Sequence, residues 1–129
     1  MGKGADNYWV GFDLGGTKML SALYDDEFYE LGRRRQKTRG ANGAEDGVKN
    51  IAELIRETLR PTRIKPKHLS GICIGCPGPL DLDDGVILEA PNLGWKNVSI
   101  VRILEQEFSC EVSIVNDVDA GVYLSLIHI

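Results

Sequence analysis

Apolar and polar positions alternate at the start of the chain. Residues 8 to 14 put Tyr8, Val10, Phe12 and Leu14 on one face, the period of a half-buried strand. Gly15-Gly16 then forces a tight turn, and residues 17 to 24 return as a second strand. Glu27 to Thr38 reads as a third, with Arg33, Arg35 and Lys37 on one side, and Gly40 to Gly47 as a polar, glycine-rich loop. From Asp46 to Arg60 the period becomes helical. Val48, Ile51, Ala52, Ile55 and Leu59 share a face, Asp46 is placed to cap the helix, and Pro61 ends it. Leu69 to Gly75 is a short apolar run, the pattern of a strand buried on both faces, and Cys76-Pro77-Gly78-Pro79 breaks it. Leu80 to Leu88 is expected to form a hairpin turning at Asp83-Asp84-Gly85. Ser99 to Phe108 reads as a second helix, with Val101, Leu104 and Phe108 inward. Glu111 to Val115 is a further strand, with Asn116-Asp117 at its carboxyl end, where a third helix is expected to begin.

Three strands in meander followed by helix, strand, helix and strand, the order β-β-β-α-β-α-β, predict a mixed α/β sheet with helices. In such open sheets ligands gather beyond the carboxyl ends of the strands. Asp117 and the Cys76-Pro77-Gly78 loop both fall at such ends.

Composition narrows the setting. The chain has 129 residues, a length that fits one domain, and 43% hydrophobic and 26% charged residues suit a globular protein. A net charge of -4 gives no general attraction for nucleic acid or for an anionic membrane, so neither is expected as a partner. No apolar run reaches the length of a membrane span, and Met1 to Asn7 is a polar extension without the layout of a signal peptide. Three cysteines, an odd number, suit a reducing compartment, and a cytoplasmic location is the simplest expectation. Cys73 and Cys76 form a Cys-x-x-Cys pair, but with Cys110 distant they read as buried apolar thiols rather than as a zinc or redox site.

Three stretches carry candidate chemistry. In Asp13-Leu14-Gly15-Gly16-Thr17-Lys18, two glycines remove Cβ obstruction, and their N–H groups can form an anion-binding concavity. Thr17 and Lys18 add donors, and Asp13 could hold hydrated Mg²⁺. The spacing is neither that of a Walker A loop nor that of a dinucleotide fingerprint. A plain hairpin turn with a solvated Lys18 fits the same residues. Asn116-Asp117, at a strand end, offers a carboxylate able to take a proton from a hydroxyl and an amide able to donate and accept. On these residues alone, Asp117 as the cap of the next helix is the favoured reading. Gly75-Cys76-Pro77-Gly78-Pro79 brings bare backbone to a strand end. Ala90-Pro91-Asn92-Leu93-Gly94-Trp95 offers Asn92 for hydroxyl contact and Trp95 as an apolar wall, but a rigid turn fits each of these two stretches, with Trp95 simply in the core. The Arg33 to Arg39 run reads as a solvated strand face.

Taken in order, Asp-x-Gly-Gly-Thr-Lys, Gly-x-Pro-Gly, Pro-Asn-Leu-Gly-Trp and Val-Asn-Asp closely resemble the ROK family of sugar kinases, glucokinase-like members above all, from about residue 8 to residue 123. The resemblance implies a ribonuclease-H-like fold of the actin, hexokinase and Hsp70 superfamily. It implies ATP-dependent phosphorylation of a hexose 6-hydroxyl, with glucose as the default sugar. It makes Asp117 the catalytic base and turns Asp13, Gly15, Gly16, Thr17 and Lys18 towards the phosphates of ATP, with Mg²⁺ held by Asp13 through water. Gly78, Asn92, Asn116 and Asp117 would line the sugar pocket, and the full-length protein would be a homodimer.

Family members run to more than twice this length, and their second domain carries a further nucleotide motif, sugar-holding Glu and His residues, and often a structural zinc site. None of these is in the sequence, so any zinc would belong to that absent half. The expected organisation is a polar extension over 1–7, an N-terminal kinase domain over 8–123, and a truncated or non-native tail over 124–129. His128 lies in that tail and is not matched to a family histidine. Such a chain is expected to be inactive alone. Two other readings remain. Some ROK relatives are sugar-responsive transcriptional regulators with an N-terminal helix-turn-helix, for which about seven residues before the first strand are too few. A non-catalytic sugar-binding module is the other.

Overall fold

The computed structural model describes residues 7–38, 43–91, 93–116 and 122. Asn92, Asp117, His128, the third helix and the 124–129 tail lie outside them or, for that helix, beyond all but a single residue.

The meander forms as its alternation predicts. Strands β1 (Tyr8–Leu14), β2 (Lys18–Tyr24) and β3 (Glu30–Lys37) are joined by antiparallel pairing. β4 (Leu69–Cys76) lies parallel to β1, and β8 (Glu111–Asn116) lies parallel to β4, giving the order β3-β2-β1-β4-β8. β1 therefore sits at the centre, and Val10, Phe12 and Leu14 are buried on one face. β4 is buried almost throughout, as an apolar strand with neighbours on both edges should be. β3 is the outer strand, and Arg33, Arg34, Arg35 and Lys37 are all exposed along it, a charged edge that resists pairing with other chains.

Helix α1 (Gly43–Leu59) begins three residues before the expected cap at Asp46. Glu45 and Asp46 instead occupy the first turn, where carboxylates offset the positive end of the helix dipole. Pro61 does end the α-helix, and the chain passes into a 3-10 turn over Arg60–Thr62. Helix α2 (Ile100–Phe108) buries Ile100, Leu104 and Phe108, with Val101 partly covered. Both helices contribute to one core with Val10, Phe12, Leu14, Ile72, Ile74, Val112 and Ile114. The opposite face of the sheet carries a smaller cluster of Cys73 with Trp9, Tyr24, Phe28 and Val115.

Two expectations needed extension. The third strand starts at Glu30, not Glu27, because the Asp25 carboxylate accepts hydrogen bonds from the N–H groups of Glu27 and Tyr29 and closes a turn there. The hairpin over 80–88 is part of a three-stranded sheet of β5 (Leu80–Asp81), β6 (Val86–Ala90) and an unforeseen β7 (Trp95–Val98). Among the described residues no helix is long and apolar enough to cross a membrane.

Candidate functional site

Parallel pairing of β1, β4 and β8 fixes where the motifs meet. Asp13 is in register with Gly75, and Gly75 with Val115. Adjacent strands lie roughly 4.8 Å apart, so the ends of β1 and β8 are separated by two such steps, about 10 Å, along a single carboxyl edge. The Gly15-Gly16 turn leaves that edge from β1, the Cys76-Pro77-Gly78 loop leaves it from β4, and Asn116 closes β8 upon it.

The first turn is tightly built. The Gly15 N–H donates to the Lys18 carbonyl at 3.0 Å. A Cβ on Gly15 would lie 2.7 Å from that same carbonyl oxygen, so only glycine fits without backbone movement. This corrects one expectation: the Gly15 amide is consumed within the turn and is not available to an anion. The N–H groups of Gly16 and Thr17 make no backbone hydrogen bond among the described residues. Thr17 and Lys18 are exposed and Asp13 is partly buried. A tight glycine turn whose Gly16 and Thr17 N–H groups make no backbone hydrogen bond among the described residues, followed in sequence by an exposed lysine, has a chemistry that suits phosphate oxygens. Among the described residues no three His, Cys, Asp or Glu side chains converge to hold a metal ion, so a protein cage is absent there. A single carboxylate such as Asp13 matches the way Mg²⁺ is bound through water alongside substrate phosphates.

The second and third motifs touch. Asn116 donates from Nδ2 to the Gly78 carbonyl at 2.7 Å, across 38 positions of sequence. Gly78 has φ +78°, and a Cβ there would fall 2.0 Å from the Glu89 carbonyl oxygen, so its backbone lies hard against the end of β6. After β6 the Leu93 N–H donates to the Ala90 carbonyl and the Gly94 N–H to the Pro91 carbonyl. The end of β4, the end of β6 and the end of β8 are thus tied together. The amide nitrogen of Asn116 is engaged in this bond, and its Oδ1 makes no hydrogen bond among the described residues. Asp117 follows Asn116 directly in the chain, and Asn92 follows Pro91, but both lie outside the described residues.

Trp95 does not line this region. It is 2% exposed and packs beneath α1, where a Cβ on Gly47 would come within 2.1 Å of its ring. Its reading as an apolar wall gives way to its reading as core. The cysteines follow the sequence reading: Cys73 and Cys76 are buried. Burial pushes the Cys73 thiol up, and the nearby Asp13 carboxylate adds to this while a hydrogen bond with Ser113 opposes it. Burial takes the Cys76 thiol up to about 12. Neither is a thiolate nucleophile at neutral pH. The residue that sequence reasoning missed is Thr38. Its Oγ1 donates to the Gly15 carbonyl at 2.8 Å, and its N–H donates to the Thr17 carbonyl at 2.8 Å. No local pattern marked it, because the contact spans 23 positions.

Known proteins supply context for this arrangement. A xylose repressor from Caldicellulosiruptor bescii is 39% identical over 71 residues, covering 55% of this chain and 18% of its own. A glucokinase from Halalkalibacterium halodurans is 29% identical over 113 residues, 88% of this chain and 34% of its own. The solved ROK family glucokinase from Streptomyces griseus, in complex with glucose and AMPPNP, superposes with a TM-score of 0.72 at 25% identity, over 84% of this chain and 33% of that one. The chain therefore spans about a third or less of the length of these relatives. The fold is the ribonuclease-H-like one of the actin, hexokinase and Hsp70 superfamily. The model of the ROK family matches residues 9–125, nearly the whole sequence, and the chain belongs to the ROK family.

Proposed function

We propose that residues 8–123 form the N-terminal domain of an ATP-dependent hexose kinase, with glucose the favoured sugar. One observation carries the reading. The glycine turn after β1 and the Asn116 end of β8 open on the same edge of the sheet, and Asn116 is hydrogen-bonded to the Gly78 loop between them. The glucokinase relatives, one of them solved with glucose and AMPPNP, support it.

In this reading Gly16 and Thr17 offer backbone N–H groups, and Lys18 its ammonium, to the phosphates of ATP. Mg²⁺, when bound, neutralises phosphate charge, and Asp13 is the residue that would hold it through water. Asn116 and Asn92, with the Gly78 backbone, orient the sugar. Asp117 takes the proton from the 6-hydroxyl as its oxygen attacks the γ-phosphorus of ATP, and the bond to the departing ADP breaks. Such transfer depends on positioning and electrostatics more than on covalent chemistry, which suits a site assembled from backbone turns. The 129 residues alone bring one side of the nucleotide site and are expected not to turn over.

Coupled-assay measurement of glucose phosphorylation tests this in the whole protein that carries the segment. Asp117→Ala is expected to lower kcat by ~10²- to 10⁴-fold, the usual worth of a general base, with the KM for ATP little changed. An Asp117→Ala protein with normal kcat would remove the assignment. A second reading has its own support, since a xylose repressor is a relative at 39% identity over 71 residues. A sugar-responsive regulator would bind sugar through the same edge without turnover, and sequence-selective retardation of promoter DNA by the whole protein would favour it.

A further inference from the structure

We propose that the end of β3, Lys37 and Thr38, is a further wall of the phosphate site: Thr38 positions the glycine turn and Lys37 supplies a second cation. The inference rests on the kinase reading above and deepens it. A turn that binds phosphate must show its N–H groups and hide its carbonyls, because each carbonyl oxygen carries partial negative charge and repels an anion. Here the Gly15 carbonyl is bonded by the Thr38 hydroxyl and the Thr17 carbonyl by the Thr38 N–H, while the Lys18 carbonyl accepts from Gly15. Three carbonyls of the turn are thus occupied, two of them by one residue, while the Gly16 and Thr17 N–H groups make no backbone hydrogen bond among the described residues. The Thr38 backbone contact would survive any side-chain change, so the hydroxyl is the part that can be tested.

The register supplies the second observation. Lys18 and Lys37 are direct partners across the β2–β3 pair, so their side chains leave the same face, and both are exposed. Like charges directly opposite one another destabilise a sheet. An anion seated beside both relieves that repulsion. In the next row on this face, Asp13 pairs with Leu20, and Leu20 with Arg35, so the proposed Mg²⁺ carboxylate shares a face with the two lysines. The occupant is the polyphosphate end of a nucleoside triphosphate.

The test is an amide-resolved NMR titration of the full chain with tripolyphosphate, followed at Gly16 and Thr17 and repeated at two salt concentrations. The wild-type chain is expected to show saturable shifts at both amides. Lys37→Met, at an exposed position, should weaken binding about threefold to tenfold and flatten its salt dependence, as loss of one cation near a phosphate does. Thr38→Val should weaken it several-fold, and Thr38→Ser, which restores the hydroxyl, should bring it back. If Lys37→Met and Thr38→Val bind like wild type, this inference is wrong and the kinase reading is untouched. If the wild-type chain gives no shifts at Gly16 and Thr17 up to millimolar tripolyphosphate, the phosphate role of the turn fails, and the inference with it. Should Thr38→Val unfold, Lys37→Met still decides the cation.

Discussion

The two glycine turns on the carboxyl edge are built by different means. The Gly15 turn is a short hairpin link, closed by its own Gly15–Lys18 hydrogen bond and held from outside by Thr38. Its glycine is needed for a close approach to one carbonyl within the turn. The Gly78 turn is held from a distance. Its glycine adopts φ +78° and meets the backbone of Glu89, and its carbonyl is bonded by Asn116. The first arrangement leaves amides open and suits an anion. The second spends its backbone on joining β4, β6 and β8, and suits a rigid wall. A strained, tightly packed turn should therefore matter most to stability, and a local one most to ligand binding.

Gly78→Ala should show the largest loss of stability. The new Cβ would meet a backbone oxygen at 2.0 Å, in a conformation that L side chains rarely adopt. Left-handed strain and a forced backbone shift together cost about 2–4 kcal/mol, read as a lower urea midpoint. An unchanged midpoint would show that the turn is not rigid and would erase the contrast. Gly15→Ala should cost less, about 1–2 kcal/mol, because the clash at 2.7 Å lies within a local hairpin that can open slightly. Its main effect should appear in the tripolyphosphate titration, where opening the turn misaligns Gly16 and Thr17. Equal losses of stability at the two glycines would contradict the division of labour.

What could be read from sequence divides along the same line. The sheet was legible because β1, β2 and β4 announce themselves by alternation or by a continuous apolar run, and each stretch needs only its own residues to do so. The glycine turn was legible because two glycines between strands leave few alternatives. β7 was not, since its four residues bury only the terminal Trp95 and Val98, and that spacing is not a strand alternation. Trp95 was left between wall and core because its neighbour, Gly47, is distant in sequence, and only the packed structure shows that a missing side chain on α1 makes room for the ring. Thr38 and the Asn116–Gly78 bond escaped for the same reason. Both join elements by hydrogen bonds across a long separation, two from Thr38 and one from Asn116, and no periodicity records such bonds.

The smallest expected effect is at Asn116, and it tests the wall directly. Asn116 is exposed, so water can replace much of what its amide gives the Gly78 carbonyl. Removing it by Asn116→Ala should cost about 0.5–1 kcal/mol, the ordinary net worth of one hydrogen bond. Asn116→Asp keeps the size but sets a carboxylate oxygen against a carbonyl oxygen, so it should cost no less than alanine. If the bond fixes the Gly78 turn rather than merely decorating it, amide exchange should quicken near residues 78–80 in both variants while the Gly15–Lys18 turn keeps its protection. Faster exchange in both turns would mean that the edge is one cooperative unit. No change in either would mean that the Gly78 turn is held by its packing against Glu89 alone, with Asn116 left free for a ligand on both of its polar atoms.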